Sequence, residues 1–296
     1  MNIRSKGDKW FDTFNIIVMT AIMVLTIAPF WFALVGSFNQ GLDYMRGGVY
    51  FWPRTFTLSN YFSVFADQTI FHAYFVTISR TLAGTALHVA FTALVAYGMS
   101  RRALAGRNVY IVVMMFTMFF YGGLVPTYLL YKDLGLLNNF LVYIIPTMFS
   151  VWDMIIVMSF FRSIPEQIIE SAKIDGAGEY RIFLQLILPL TKPVLAAIAL
   201  FNGVYHWNAY TDAMLFTTKE ALEPVQLFLM RIVTDSSVAT KFGEQAASVM
   251  PEEAKQISPE TLKLAMMMAT TAPILVIYPF LQKYFVKGVL IGSVKG

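Results

Sequence analysis

The chain contains no cysteine among its 296 residues. That absence excludes a disulfide framework, thiolate metal sites, thiol redox chemistry and an S-linked lipid anchor. Charge is also scarce: Asp, Glu, Lys and Arg make up 14% of the residues while 57% are apolar, against about 25% and 45–50% in soluble domains. The 22 basic and 18 acidic side chains are too few to clothe a water-soluble protein of this length. Histidine is limited to His72, His88 and His206, and there is no glycine loop ending in Gly-Lys, no HExxH and no GxSxG. The chain therefore lacks the usual parts for ATP, zinc-dependent or serine-dependent hydrolysis. No internal repeat or low-complexity segment is visible, which removes the usual mark of a self-contained secondary transporter.

What is present is a series of long apolar runs. Six stretches match the ~20 residues needed to cross a hydrocarbon core: Phe14 to Phe38, Phe71 to Met99, Val109 to Tyr131, Phe140 to Phe161, Val194 to Phe216 and Leu262 to Val286. The first is too long for a cleaved signal segment, although basic residues precede it. The expected fold is an all-α polytopic membrane protein: a tail over 1–13, then a single transmembrane domain over 14–296. Lys and Arg cluster on one side of these spans, at Arg4, Lys6 and Lys9, Arg101, Arg102 and Arg107, Arg162, Lys173, Arg181 and Lys192, and Lys287 and Lys295, with Lys283 in the last turn of the sixth span at the same end. The short connections on the other side hold only Arg46, Arg54 and Lys132. The positive-inside rule then places both termini and the loop over 163–190 in the cytoplasm, and the loop over 217–261 outside. That outer loop is polar enough for solvation and long enough to reach a partner.

Ionisable residues inside the spans need partners, because an unpaired Arg or Asp at mid-bilayer costs at least about 2.5–3.5 kcal/mol. Arg80 and Asp153 stand out. Counting 1.5 Å per residue from the outer ends of their spans puts Arg80 about 13 Å and Asp153 about 20 Å deep, within an arginine's reach. The expectation is that Arg80 faces a cavity or pairs with Asp153. Thr77, Thr81, Gly84 and His88 recur at helical spacing, as close-packing stripes do, and Asn202 and His206 share a face beside Tyr205, Trp207 and Asn208. Rings with amides suit a sugar path, though Trp207, Asn208 and Tyr210 equally suit an interfacial belt.

The loop over 163–190 carries the most information. Pro165 and Glu166 suit a helix start and Asp175-Gly176 a helix stop, with Tyr180, Phe183, Leu184 and Ile187 following on a second short helix. Ile168, Ile169, Tyr180 and Phe183 must lie against the membrane interface, the protein's own spans or a partner. Glu170-Ser171-Ala172, then Gly176, Leu186 and Leu188-Pro189, resembles the EAA loop of the membrane subunits of binding-protein-dependent ABC importers. The family pattern has E-A-A, three residues, G, nine residues, I, one residue and L-P, so Ser171 and Leu186 are mild departures. Asp175-Gly176-Ala177 is typical of the sugar importers.

The resemblance covers nearly the whole chain, through Trp207-Asn208 and the ending Tyr278-Pro279-Phe280-Leu281 onward, and is to the LplC-type carbohydrate permeases, relatives of the smaller maltose permease subunit. It implies a non-enzymatic permease subunit of the cell (inner) membrane, with Glu170, Ser171, Ala172, Asp175, Gly176, Ala177, Leu186, Leu188 and Pro189 forming the coupling loop. Implied partners are a second, non-identical permease, two copies of an ATPase that binds ATP and Mg, and an extracytoplasmic solute-binding protein. The implied substrate is an oligosaccharide, with acidic alginate or pectin fragments among the relatives' cargoes; a basic Arg80 would suit a uronate. Arg80, His88, Asp153, Asn202, Tyr205, His206, Trp207 and Asn208 are the candidates for its path. An ion-coupled secondary transporter is the alternative, with Asp153, Arg80 and His88 as its only titratable groups.

Overall fold

The computed structural model describes residues 6–235 and 257–293. Its helices are α1 (Lys6–Ser37), α2 (Gly41–Tyr44), α3 (Ser59–Ala66), α4 (Gln68–Ser100), α5 (Arg107–Phe119), α6 (Leu124–Asp133), α7 (Val151–Arg162), α8 (Glu166–Ile174), α9 (Glu179–Ile182), α10 (Leu188–Leu190), α11 (Lys192–Asn208), α12 (Thr211–Phe216), α13 (Val225–Thr234) and α14 (Pro259–Ser293). The described residues contain no β-strand, only an isolated bridge between Asn39 and Phe56.

Among the described residues three helices are long and apolar enough to cross a membrane: Lys9–Ser37, Gln68–Ser100 and Pro259–Ile277. Two further candidates are bent pairs, and the bends have local causes. α5 and α6 meet at 117°, where Gly123 adopts φ 94°, a conformation glycine tolerates and L side chains do not. The stretch Glu179–Leu190 meets α11 at 78°, beside Thr191, whose hydroxyl donates to the Ile187 carbonyl at 2.7 Å. The expected span over 140–161 is a 3₁₀ turn at Phe140–Tyr143 followed by α7, whose 12 residues reach only about 18 Å. Pro146 lies between the two, and Ser150 starts α7 by accepting a bond from the Asp153 amide at 3.3 Å. The expected span over 194–216 likewise stops at Ala209, which is extended, and resumes as α12.

Residues 1–71 and 229–272 form one compact unit. None of the apolar window of α1 is buried, so Phe14, Ile17, Met23 and Leu25 are left facing outward, as only lipid or another apolar surface permits. At its far end Gly36 lies so close to Leu264 of α14 that a Cβ would come within 2.5 Å of the leucine methyl. Asn60 of α3 clamps this junction, donating to the Ser37 and Asn39 carbonyls and accepting from the Thr261 hydroxyl.

Residues 72–228 and 273–296 form the second unit. α4 is built inside out relative to a soluble helix. Thr77, Arg80, His88 and Thr92 are buried along one stripe, while Phe75, Ile78, Leu82 and Leu94 are exposed on the other faces. Polar groups turned inward and apolar groups outward are what a lipid surround selects. An apolar cluster at the Ser100 end gathers Tyr97, Met154, Phe161, Ile169, Phe183 and Ile187; a second, towards the Gln68 end, gathers Val76, Val142, Tyr143, Ala213 and Leu227. Val225, Leu227, Phe228 and Ile232 of α13 are buried, so this part of the loop over 217–261 is packed rather than solvated. Residues 236–256 of that loop lie outside the described residues.

Candidate functional site

α8 ends as its sequence requires. The Gly176 amide donates to the Lys173 carbonyl at 3.0 Å and the Ala177 amide to the Ala172 carbonyl at 2.9 Å, with Gly176 at φ 78°. This is the double bond pattern of a Schellman terminus, in which the left-handed residue is normally glycine. Nothing lies within 4 Å of where a Gly176 Cβ would stand, so the glycine is required by backbone conformation and not by space. Ala172, four residues before Gly176, and Ala177, directly after it, both pack on the Tyr97 cluster.

The four apolar residues singled out in this loop divide between two environments. Ile169 and Phe183 are buried, joined by Ile182 and Ile187. Ile168 and Tyr180 are exposed, joined by Ile174 and Leu184, and Ile174 retains 85% of its surface. The loop thus glues one face to its own spans and leaves the opposite apolar face uncovered. Glu170 and Ser171 are exposed, Leu186 packs on the cluster, and Leu188-Pro189 opens α10 where the chain turns into α11.

Glu179, which sequence reasoning passed over, ties this loop together. Its carboxylate accepts from Lys173 Nζ at 2.7 Å and from the Tyr97 hydroxyl at 2.6 Å, and Arg101 stands 3.6 Å away. Arg101 also donates to the Tyr97 hydroxyl and lies 4.2 Å over its ring. The bond from Lys173, and then that from Tyr97, hold the Glu179 carboxyl below its ordinary value. α8, α9 and the end of α4 meet at this one side chain.

Within the membrane region the expected pairing of Arg80 with Asp153 does not form. Arg80, fully buried, makes a two-pronged ion pair with Asp212 of α12, with Nη1 to Oδ1 at 3.2 Å and Nη2 to Oδ2, and it donates to the Ala209 carbonyl. Its guanidinium also stacks 4.2 Å from the Tyr143 ring. Asp153 belongs instead to His88: Nε2 and Oδ2 are 2.9 Å apart, and Nδ1 is 2.8 Å from the Thr147 carbonyl. A carbonyl only accepts, so Nδ1 carries a proton, and a second proton must lie between Nε2 and the carboxylate. The depth count failed because it ran a continuous helix from Phe140, whereas Asp153 sits in the first turn of a short helix that begins at Val151. Asp212, which the sequence reading passed over, did leave a signal: it is a carboxylate inside an apolar run, and such a group demands a cation.

His206 lies between the two pairs. It is fully buried, its Nε2 is 3.5 Å from the Thr147 hydroxyl, and a Cβ on Gly84 would come within 2.3 Å of that same nitrogen. Gly84 is therefore the slot for this ring. Asp212, Arg80, Tyr143, Thr147, His88 and Asp153 are linked in that order, with His206 beside Thr147, in a polar chain that joins α4, α7, α11 and α12 and the turns before α7. Of the other path candidates, Trp207 is buried near Tyr74, Tyr205 is exposed, Asn208 donates to the Val204 carbonyl, and the Asn202 amide oxygen has no hydrogen-bond partner.

Residues 88–291 match the family described as binding-protein-dependent transport system inner membrane component. The chain is 38% identical over 292 residues to Protein LplC of Bacillus subtilis (strain 168), covering 99% of this chain and 97% of that one. It is 36% identical to the polygalacturonan/rhamnogalacturonan transport system permease protein YtcP of the same organism, covering 98% and 99%. A chain in the crystal structure of a bacterial ABC transporter involved in the import of the acidic polysaccharide alginate superimposes with a TM-score of 0.89 at 29% identity, over 96% of this chain and 100% of that one.

Proposed function

Because the chain belongs to the family of binding-protein-dependent transport system inner membrane components, we propose that it is the permease subunit through which an ATP-driven importer passes an oligosaccharide into the cytoplasm. It is a multi-pass membrane subunit and not an enzyme; hydrolysis of ATP belongs to a separate ATPase. In this reading both termini are cytoplasmic, six membrane crossings are assembled from straight and broken helices, and a second, non-identical permease completes the pore. Two ATPase copies bind ATP and Mg, and an external solute-binding protein delivers the sugar.

The observation that carries the reading is the loop over 163–190. The loop, with its first helix stopped at Gly176 and its inner side held by Ile169 and Phe183, leaves Ile168, Ile174, Tyr180 and Leu184 exposed among the described residues. An apolar patch on a rigid base outside the spans is a surface for another protein. Closure of the two ATPases on ATP would draw these loops together and turn the pore outward; hydrolysis would reset it.

Acidic oligosaccharides, pectin-like or alginate-like, are the proposed cargo on the strength of the relatives' names. Arg80 adds no support, since Asp212 already neutralises it. The ion-coupled alternative is likewise unsupported: Arg80, His88 and Asp153, its titratable candidates, are all paired. Affinity purification of the tagged chain from native membranes tests the assignment. An ATPase and a second permease should remain bound, and Gly176→Glu should release the ATPase. Recovery of a transporting chain with no ATPase would overturn it.

A further inference from the structure

A basic cleft of about 390 Å³ opens at the base of the loop over 163–190. Arg101 and Arg102, which follow α4, Arg107 at the start of α5 and Arg162 at the end of α7 line it, with Glu166 as the single acidic residue of the lining. The positive-inside rule explains a surplus of basic residues at one end of the spans, but not the convergence of four of them, from three helix ends, on one cleft. Arg107 Nε and Arg162 both donate to the Met99 carbonyl, at 2.7 and 3.4 Å, so the end of α4 holds two of the guanidinium groups there.

Little in the chain neutralises them. Arg102, Arg107 and Arg162 form no ion pair among the described residues. Arg101 has only Glu179, at 3.6 Å, and that carboxylate already accepts from Lys173 and Tyr97. Arg101 Nε is buried with no hydrogen-bond partner. Glu166, exposed, pairs with none of the four, and Glu170 and Asp175 are not in the lining. α8 starts at this cleft without a side-chain cap, so the positive end of its dipole adds to the field. Gathered like charges repel one another, and an anion entering between them offsets that cost. Guanidinium forks suit a carboxylate in particular, which each can take with two parallel bonds.

The position of the cleft says where the carboxylate comes from. Pro165 and Ile169 belong to its lining, and Ile168, exposed on the uncovered apolar face, stands one turn of α8 from Pro165. A protein seated on that face therefore borders the cleft. We infer that the cleft is the polar part of the ATPase docking surface and receives an aspartate or glutamate side chain of the ATPase between the four arginines. The inference rests on the transport reading of the loop and adds the chemistry its partner must carry: an acidic side chain beside an apolar one. Charges at the rim of an interface govern the rate of encounter and its salt dependence, and a like charge placed opposite opposes docking.

The test titrates purified ATPase onto nanodiscs that hold the full chain with its second permease. Arg102→Glu should weaken binding at least about tenfold at low salt, Arg102→Gln should lie between, and the differences should shrink at high salt, which screens exposed charge. Arg102 is exposed and makes no hydrogen bond or ion pair among the described residues, so neither change removes a bond that holds the fold. Arg102→Lys keeps the charge and supplies an amine, which a carbodiimide should join to an ATPase aspartate or glutamate, located by peptide mapping. Equal affinity of the unchanged chain and Arg102→Glu at low salt would overturn the inference and leave the transport reading standing. So would a carbodiimide product that links position 102 to another protein or to none. An unchanged chain that binds no ATPase would overturn the transport reading, and this inference with it.

Discussion

Replacing Asp212 by leucine should be among the most damaging single changes in the membrane region. Arg80 is fully buried, and Asp212 supplies both of its charged contacts; only the Ala209 carbonyl and the Tyr143 ring would remain. Breaking a buried ion pair by removing one partner costs about 3–5 kcal/mol, because the surviving charge stays desolvated. At 1.4 kcal/mol per tenfold, that shifts the folded fraction by roughly two to three and a half powers of ten. Removing both charges is different, since apolar replacement of a whole buried pair is close to neutral, within a few kcal/mol at most. Arg80→Met with Asp212→Leu should therefore recover most of what either single change loses. Monodisperse yield and melting temperature in mild detergent read this directly for the four proteins of the cycle. If Asp212→Leu melts with the unchanged chain, or if the double variant is as poor as the sum of the singles, the pair does not hold these helices and the reasoning fails.

Gly84→Ala should destabilise the chain by about 1–3 kcal/mol, because its methyl would meet the His206 ring; pairing it with His206→Ala should relieve part of the loss in the same melting assay. Gly176→Ala should weaken the loop by about 1 kcal/mol through backbone strain alone, and Gly176→Asn by less, since asparagine accepts the left-handed conformation; proteolysis of the loop would rank the three. The Glu179 bonds should respond to pH with a definite sign. Its carboxyl titrates below its ordinary value of 4.5, so the contribution is fully present above that value and is lost as pH falls through the lowered one. Spin labels on Arg102→Cys and Ile174→Cys, clean because the chain has no other cysteine, should keep one distance from pH 8 to pH 5. They should spread only at more acid pH, and at every pH in Glu179→Gln; spreading near neutrality would contradict the assignment.

Much of the fold was legible in the sequence where one helix does one job. α4 matches its apolar run within three residues at the start and one at the end, and of its stripe Thr77, Gly84 and His88 are buried and Thr81 is half-buried. The stop at Gly176 was readable because a left-handed residue has a residue type that prefers it. Broken spans were not readable as broken. Composition reports how apolar residues 140–161 are, but not that Pro146 and Ser150 delay the helix until Val151. Ion-pair partners were lost for the same reason, since depth counted along an unbroken helix moves Asp153 away from its true place and hides Asp212 in the run that follows Ala209. Glu179 was hard to see because two of its partners, Tyr97 and Arg101, are some 80 positions away, and the third, Lys173, lies across the helix stop at Gly176.

The central claim is that the uncovered face of the loop over 163–190 receives an ATPase. A photo-crosslinking residue placed in turn at Ile174 and Tyr180, both exposed, and at Ile182 and Phe183, both buried, measures this in native membranes. The account predicts adducts with an ATP-binding protein from the first two positions and none from the second two. Adducts to lipid alone from Ile174 and Tyr180, in membranes that still transport, would contradict it.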